Sequence, residues 1–381
     1  MATTSTKQKP AGERRVLIYR LGSLGDMVIA LPALHLVARA FPKAERRLLT
    51  NFPVNVKAPP AAAILEQSGL VDGYIRYAAG TRSLVELGRL WWTLVRWRPE
   101  VLVYLGSARG VVSARRDERF FRLCGIRRMI GVPVSDDMQR NLWDETEQAL
   151  EPEAERLARN IGELGDAAVE VAENWDLHLT EEEQARADAV LEPVGSIPLI
   201  AVSVGTKVQS KDWGQENWRA LLGRIAASHP GYGLALCGAP EESEASALAA
   251  EMWVQFGGGP VVNLCGKLTP RQSAGAFRRA CLFVGHDSGP MHLAAAVQTP
   301  CVAIFAARNK PRVWFPYGRG HRVLYHQTEC WGCGLETCTI ERKRCLTSIT
   351  VAEVVAEISS ALLECKGDES LPHPLYSHPG R

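Results

Sequence analysis

Three short stretches hold residue types that could handle a hydroxylated or phosphorylated substrate, and each follows a run of β-branched residues. The first, residues 16–34, reads VLIYRLGSLGDMVIALPAL. A hydrophobic strand runs into Gly-x-x-Gly-Asp, with an apolar, helix-like segment behind it. Gly22 and Gly25 let the backbone turn without a Cβ clash, and Pro32 is tolerable only near a helix start. Residues 22–31 are therefore expected as a turn or one loose helical turn. Asp26 then lies where helix N-terminal dipoles favour a carboxylate, able to take a proton from an alcohol. The same residue in the same place could equally cap the helix, and this motif alone leaves both readings open. The spacing is not G-x-G-x-x-G, and no Walker lysine follows.

The second stretch, residues 203–218, reads SVGTKVQSKDWGQENW. A strand ends near Gly205, and a loop carries Thr206, Lys207 and Lys211. Two ammonium groups and a hydroxyl beside open backbone amides suit a diphosphate, although surface lysines in a solvated loop look the same. Trp213 and Trp218 are read as core packing. The third stretch, residues 284–306, reads strand, Asp-Ser-Gly-Pro turn, helix, strand. Asp287 or Ser288 can cap the helix, Pro290 sits where a missing N–H costs nothing, and the free amides suit a phosphate group. His286 and His292 flank that turn, and a single histidine on a helix is commonly a satisfied core residue.

Three further features stand outside this trio. Cys330, Cys333, Cys338 and Cys345 form C-x2-C-x4-C-x6-C, which could close a tetrahedral structural zinc site, or leave free thiols or a local redox pair. Residues 109–128 hold seven arginines against two acids, suited to phosphates, acidic sugars or anionic lipid, or simply to a solvated helix face. Residues 84–100 interleave three tryptophans with Arg89, Arg96 and Arg98. An interfacial helix is conceivable there; the favoured reading is a helix that covers the sheet with its arginines turned outward.

These residues need elements to hold them. Short apolar runs alternate with longer amphipathic ones, the pattern of a parallel sheet with covering helices. The strands expected are VLIYRL, RRLLTN, GYIRYA, VLVYLG and RRMIGV in the first half, with helices near residues 83–97 and 153–165. The second half supplies PLIAVSVG, YGLALCG, PVVNLCG, CLFVGHD and PCVAIFA. The acidic segment TEEEQARADAVLEPVGS reads as a surface helix and loop, so a boundary falls near residue 180. The expectation is an α/β chain of two tandem Rossmann-like, doubly wound domains, residues 15–180 and 181–365, between polar tails at 1–14 and 366–381. A ligand is expected in the cleft between the domains, at the carboxyl ends of the strands.

Composition agrees with two cored domains: 381 residues, 46% hydrophobic. Lysine and arginine total 44 against 42 acids, a formal charge of +2, so global electrostatics gives no argument for nucleic acid. No apolar run approaches the roughly 18 residues of a membrane span, and the polar N-terminus lacks a secretory signal core. A cytoplasmic protein with largely reduced thiols is expected.

Taken in order, RLGSLGDMVIALPAL, SKDWGQENW and HDSGPMHLAAA resemble the motif series of glycosyltransferase family nine, which contains the ADP-heptose:lipopolysaccharide heptosyltransferases. The resemblance spans roughly residues 15–360. It implies the glycosyltransferase B fold, a nucleotide-sugar donor on the C-terminal domain, a glycolipid acceptor such as lipid A core on the N-terminal domain, and inversion at the anomeric carbon. By the same resemblance Asp26 is the general base and Lys211 contacts the donor phosphates. Thr206, with its neighbour Lys207, falls in a segment that approaches those phosphates. Asp287, Ser288, Gly289 and His292 form the nucleotide-contacting turn.

No Asp-x-Asp occurs, so no metal is expected to be required for catalysis. Peripheral contact with the cytoplasmic face of the inner membrane is a further possibility for the basic stretch. A non-catalytic nucleotide-sugar-binding relative would keep Lys211 and the 287–292 turn without needing Asp26. A nicotinamide oxidoreductase would share the doubly wound fold but needs a dinucleotide fingerprint that LGSLGD does not supply.

Overall fold

The computed structural model describes residues 15–52, 59–78, 80–81 and 83–367. Residues 1–14, expected as a tail, and 368–381, most of the tail expected at 366–381, lie outside them; residues 366 and 367 belong to the last helix. The chain divides into two compact units, Met1–His178 and Leu179–Arg381.

The first unit is a five-stranded parallel sheet. Its strands are β1 (Arg15–Tyr19), β2 (Glu45–Asn51), β3 (Gly73–Tyr77), β4 (Val101–Tyr104) and β5 (Arg128–Ile130), in the order β3-β2-β1-β4-β5. Its helices of six residues or more are α1 (Leu24–Ile29), α2 (Leu31–Ala40), α3 (Leu84–Trp97), α4 (Val111–Leu123) and α5 (Glu153–Asn160). Central strands are buried on both faces, so β1 and β4 read as unbroken apolar runs rather than alternating ones. Register is direct: Ile18 pairs with Leu48 on one side and Val103 on the other. One core cluster joins Leu17, Leu49 and Leu102 of the sheet to Leu94 and Trp97 of α3 and Phe121 of α4.

The second unit adds helices α6 (Glu181–Leu191), α7 (Gln215–Ser228), α8 (Ser243–Gln255), α9 (Pro270–Arg278), α10 (Gly289–Ala296) and α11 (Val351–Gly367) to six strands. These are β6 (Leu199–Ser203), β7 (Gly233–Leu236), β8 (Val261–Asn263), β9 (Leu282–His286), β10 (Cys301–Phe305) and β11 (Arg322–Tyr325). The sheet is parallel throughout, in the order β8-β7-β6-β9-β10-β11. That is the doubly wound Rossmann order, reversing between β6 and β9. Trp213, Trp218 and Trp253 are buried in its core; Trp213 meets Trp218 edge to face at 5.3 Å, so both are packing residues.

Three local features differ from expectation. The segment after β1 is more regular than the turn or single loose helical turn expected: the six-residue α1 runs directly into α2, because Ala30 keeps a right-handed helical backbone (φ −83°, ψ −3°) and Pro32 lies in the first turn of α2. Gly25 is buried inside α1, leaving Gly22 as the turn residue, with φ +143°. Strand β11 and a short hairpin, Trp143–Asp144 with Ala149–Leu150, were not expected. Among the described residues, no helix is long and apolar enough to cross a membrane.

Candidate functional site

In the first unit, Asp26 occupies the first turn of α1. Its Oδ2 accepts from the Ser23 backbone N–H at 2.7 Å and the Ser23 hydroxyl at 3.0 Å, so it does cap the helix, reaching back as the third residue of a capping box. The side chain nevertheless stays 20% exposed, and Oδ1 lies 3.5 Å from Nη2 of the fully buried Arg20. Arg20 holds the turn from below: it donates to the Asp26 carbonyl at 3.0 Å and the Leu105 carbonyl at 2.8 Å, and approaches Glu153 at 3.9 Å. Burial pulls its pKa below the arginine range, opposed by Asp26 and Glu153. Glu153 in turn grips the buried Arg156 with both oxygens at 2.7 Å. Gly22 closes the site. A Cβ there would come within 2.6 Å of Asp26 Oδ2, and the Gly22 N–H donates to Asn51 Oδ1 at 2.8 Å.

At the carboxyl ends of β1 and β3, the same unit holds a pocket of about 450 Å³ walled by Tyr19, Tyr77, Phe120 and Phe121, with Arg109, Arg116 and Asp117 as its charged groups. Arg109 Nη2 donates to Asp117 Oδ2 at 2.6 Å, the Tyr19 hydroxyl at 2.9 Å and the Tyr104 hydroxyl at 3.1 Å. Burial pushes the Tyr104 phenol up to about 12 and raises that of Tyr19 as well, so both phenols are neutral hydrogen-bonding partners of Arg109 at ordinary pH.

In the second unit the donor-side residues converge at the carboxyl ends of β6 and β9. Lys211 Nζ lies 2.7 Å from Asp287 Oδ2 and 3.0 Å from the Asp287 carbonyl. Asn309 Nδ2 donates to the same Oδ2 at 2.9 Å. An ammonium has three donors, and two are used among the described residues, which leaves the third open. Ser288 is the N-cap of α10; its hydroxyl is buried and has no hydrogen-bond partner among the described residues. Gly289 opens α10, and His292 is buried one turn on, 6.4 Å from the Trp314 ring.

Thr206 Oγ1 accepts from the Val208 N–H at 3.3 Å, folding the loop on itself, and Lys207 bears electrostatically on Glu242. Burial raises the Glu242 carboxyl above its usual range. Its Oε2 accepts from the Ala239 N–H at 2.8 Å, and its side chain fills the space beside Gly205 and Gly238, after β6 and β7.

Two supports hold the lysine loop. His286, wholly buried, accepts the Trp213 N–H on Nε2 at 3.2 Å and faces the Gly205 carbonyl with Nδ1. Burial lowers its pKa to about 4, so it is a neutral strut and not a proton carrier. The cysteine loop is the second. Ser210 donates to the carbonyls of Glu336 (3.0 Å) and Leu335 (2.6 Å), Cys338 N–H to Gln209 Oε1 (3.0 Å), and Lys343 Nζ to the Asp212 carbonyl (2.8 Å).

All four of its cysteines are free thiols. Cys345 feels the charge of the other three, yet among the described residues no group of three or more His, Cys, Asp or Glu is placed to hold a metal ion. That geometry lends no support to the zinc alternative among the readings the spacing allows. The Lys343 N–H donates to Cys338 Sγ at 3.2 Å, and such backbone donors lower that thiol's pKa.

Sequence reading missed Arg20, Asn309 and Glu242. Only Arg20 left a signal, an arginine ending an apolar run where a strand interior leaves no solvent to reach.

The profile of Glycosyltransferase family 9 (heptosyltransferase) matches residues 147–343, just over half of the chain. Lipopolysaccharide heptosyltransferase 1 of Pseudomonas aeruginosa is 29% identical over 202 residues, 49% of this chain and 53% of that protein. The curated relatives are matched over 28 to 53% of their length. Among solved structures, a family 9 glycosyl transferase from Veillonella parvula superposes with a TM-score of 0.68 at 17% identity, covering 93% of this chain and 99% of that one. E. coli heptosyltransferase WaaC, solved with ADP-2-deoxy-2-fluoro heptose, gives 0.56 at 20% identity, covering 91% and 99%. These likenesses extend the two-sheet architecture to the glycosyltransferase B fold. With its ordered motifs, its paired parallel sheets and a profile match over more than half its length, the chain belongs to glycosyltransferase family 9.

Proposed function

We propose that the protein is an inverting glycosyltransferase that moves a heptose from ADP-heptose, or a related sugar from a nucleoside diphosphate, to a hydroxyl of a glycolipid such as lipid A core, at the cytoplasmic side. The observation that carries this reading is the cluster in the second unit. Lys211 with one free donor, the unpartnered Ser288 hydroxyl and the first amides of α10 stand together at the carboxyl end of β9, a set of donors for a diphosphate. The WaaC structure with a fluorinated ADP-heptose supports ADP-heptose as the donor class. Glu242 supplies acceptor oxygens suited to ribose hydroxyls, the role a carboxylate plays after the strands of such sheets.

The acceptor hydroxyl gives its proton to Asp26, on Oδ1, because Oδ2 is already engaged by Ser23. The freed electron pair forms the new bond to the anomeric carbon through an oxocarbenium-like state. The bond to the diphosphate breaks on the opposite face, and the leaving oxygen carries its electron pair toward Lys211, Thr206, Lys207 and the α10 amides. Asp287 and Asn309 position the lysine. No step in this scheme calls for a divalent ion.

The test is transfer from ADP-heptose to a deeply truncated lipopolysaccharide, with and without EDTA. The reading expects product of inverted anomeric configuration at equal rates. Donor binding with no transfer to any of a panel of glycolipid acceptors would instead mark a binding protein.

A further inference from the structure

Helix α3 buries only Leu90, Leu94 and Trp97. Leu84, Val85, Trp91 and Trp92 stand in solvent at 83, 63, 40 and 59% exposure. Helical spacing sets these four on one strip with Gly88, bordered by Arg89 and Arg96. The expected reading of α3 as an ordinary sheet-covering helix leaves this strip unexplained, since isolated surface apolar residues are normal but a contiguous strip is not.

Helix α4 repeats the arrangement with more charge. It buries Ala114 and Phe121 and turns Val112, Arg115, Arg119, Arg122 and Leu123 outward. Arg116 and Arg122 are paired with Asp117 and Glu118, whereas Arg115, Arg119 and Arg127 have no ion pair among the described residues. The two helices meet where Trp91 Nε1 donates to the Leu123 carbonyl at 3.1 Å.

We propose that this α3–α4 face docks the first unit on the surface of an anionic lipid bilayer. Exposed tryptophan and leucine beside unpaired arginine is the composition that settles at the headgroup level, rings in the boundary and guanidinium groups on anionic headgroups. A second copy is a poorer occupant: an isologous contact would set the same arginines against each other. The inference does not depend on the sugar-transfer reading, because binding to vesicles needs no donor and no acceptor sugar.

The experiment is flotation of the full chain with phosphatidylcholine vesicles containing about 30 mol% phosphatidylglycerol, against pure phosphatidylcholine, at low and high salt. The chain is expected to float with the anionic vesicles at low salt, to release at high salt, and to stay behind with the neutral ones. Arg115→Gln and Arg119→Gln should each weaken binding roughly fivefold, and Leu84→Glu with Trp92→Glu should abolish it. All four positions are exposed, so unchanged circular dichroism and elution volume are expected. Absence of flotation at low salt, or undiminished flotation of the Leu84→Glu/Trp92→Glu variant, overturns the proposal. So does a wild-type dimer that the same variant dissociates, which would assign the face to a second copy.

Discussion

Gly22 and Asp26 work as one device. The carboxylate occupies the space a side chain at position 22 would need, and Gly22 itself sits at φ +143°. Gly22→Ala must both strain the backbone, at roughly 1–3 kcal/mol, and displace the carboxylate. A shift of that kind lowers turnover by on the order of 10- to 100-fold. Steady-state kinetics with an ADP-binding control should show that loss in kcat with the nucleotide Kd unchanged; wild-type kcat in this variant would detach the geometry of the turn from the rate.

His286 makes a pH prediction. Folded, it titrates near 4 because it is buried; unfolded, near 6.5. As pH falls below 6.5 the unfolded chain takes up the proton first. The contribution to stability is thus complete above pH 6.5 and shrinks by about 1.4 kcal/mol per pH unit down to about 4. His321, also lowered to about 4 by burial, adds a second contribution of the same sign. Urea unfolding between pH 7 and 4 should show wild type losing stability faster than His286→Gln, and parallel curves would refute the assignment. At this scale the sequence showed residue types but not their pairings. Lys211 and Asp287 were both visible as donor-side candidates, yet 76 positions separate them and nothing local says that they neutralise each other. Arg20 and Asn309 gained their roles only from neighbours brought by the fold.

Elements were far more legible. Ten of the eleven strands in the two large sheets were expected from their composition, because two-sided burial writes a parallel strand as an apolar run. β11, RVLY, escaped because it is a short edge strand flanked by glycine and histidine, only partly buried. α1 was read as no more than a turn or loose helical turn because six residues with an internal glycine carry too little periodicity to register as a regular helix.

The cysteine loop was legible as a loop, but its spacing left zinc, free thiols and a redox pair all open, since ligand spacing cannot distinguish a metal site from a segment tied by backbone hydrogen bonds. Its contacts run to Gln209, Ser210 and Asp212, on either side of Lys211. Removing two of them with Gln209→Ala and Ser210→Ala should therefore raise the KM for donor about thirtyfold, at roughly 1 kcal/mol per lost hydrogen bond, and leave the fold intact by circular dichroism. An unchanged KM would leave the loop with no part in positioning the lysine.

At the scale of the molecule, the two sheets carry separate assignments. The first unit has its own core and holds Asp26; the second has its own core and holds the cluster proposed for the diphosphate. Fold class was readable because strands and helices alternate twice over in the chain. The donor sugar and the acceptor hydroxyl were not, because each is chosen by a few contacts whose geometry leaves no periodic trace.

This separation makes the central claim testable in one comparison: single-turnover transfer from ADP-heptose to truncated lipopolysaccharide by wild type and Asp26→Asn, with ADP-heptose affinity measured for both. Asparagine keeps the size of the side chain and an oxygen for the Ser23 N–H but cannot accept the acceptor's proton. The account predicts equal donor affinity and transfer slower by on the order of 10² to 10⁴ in the variant. Transfer at the wild-type rate would contradict it, leaving Asp26 as a helix cap and placing the general base elsewhere.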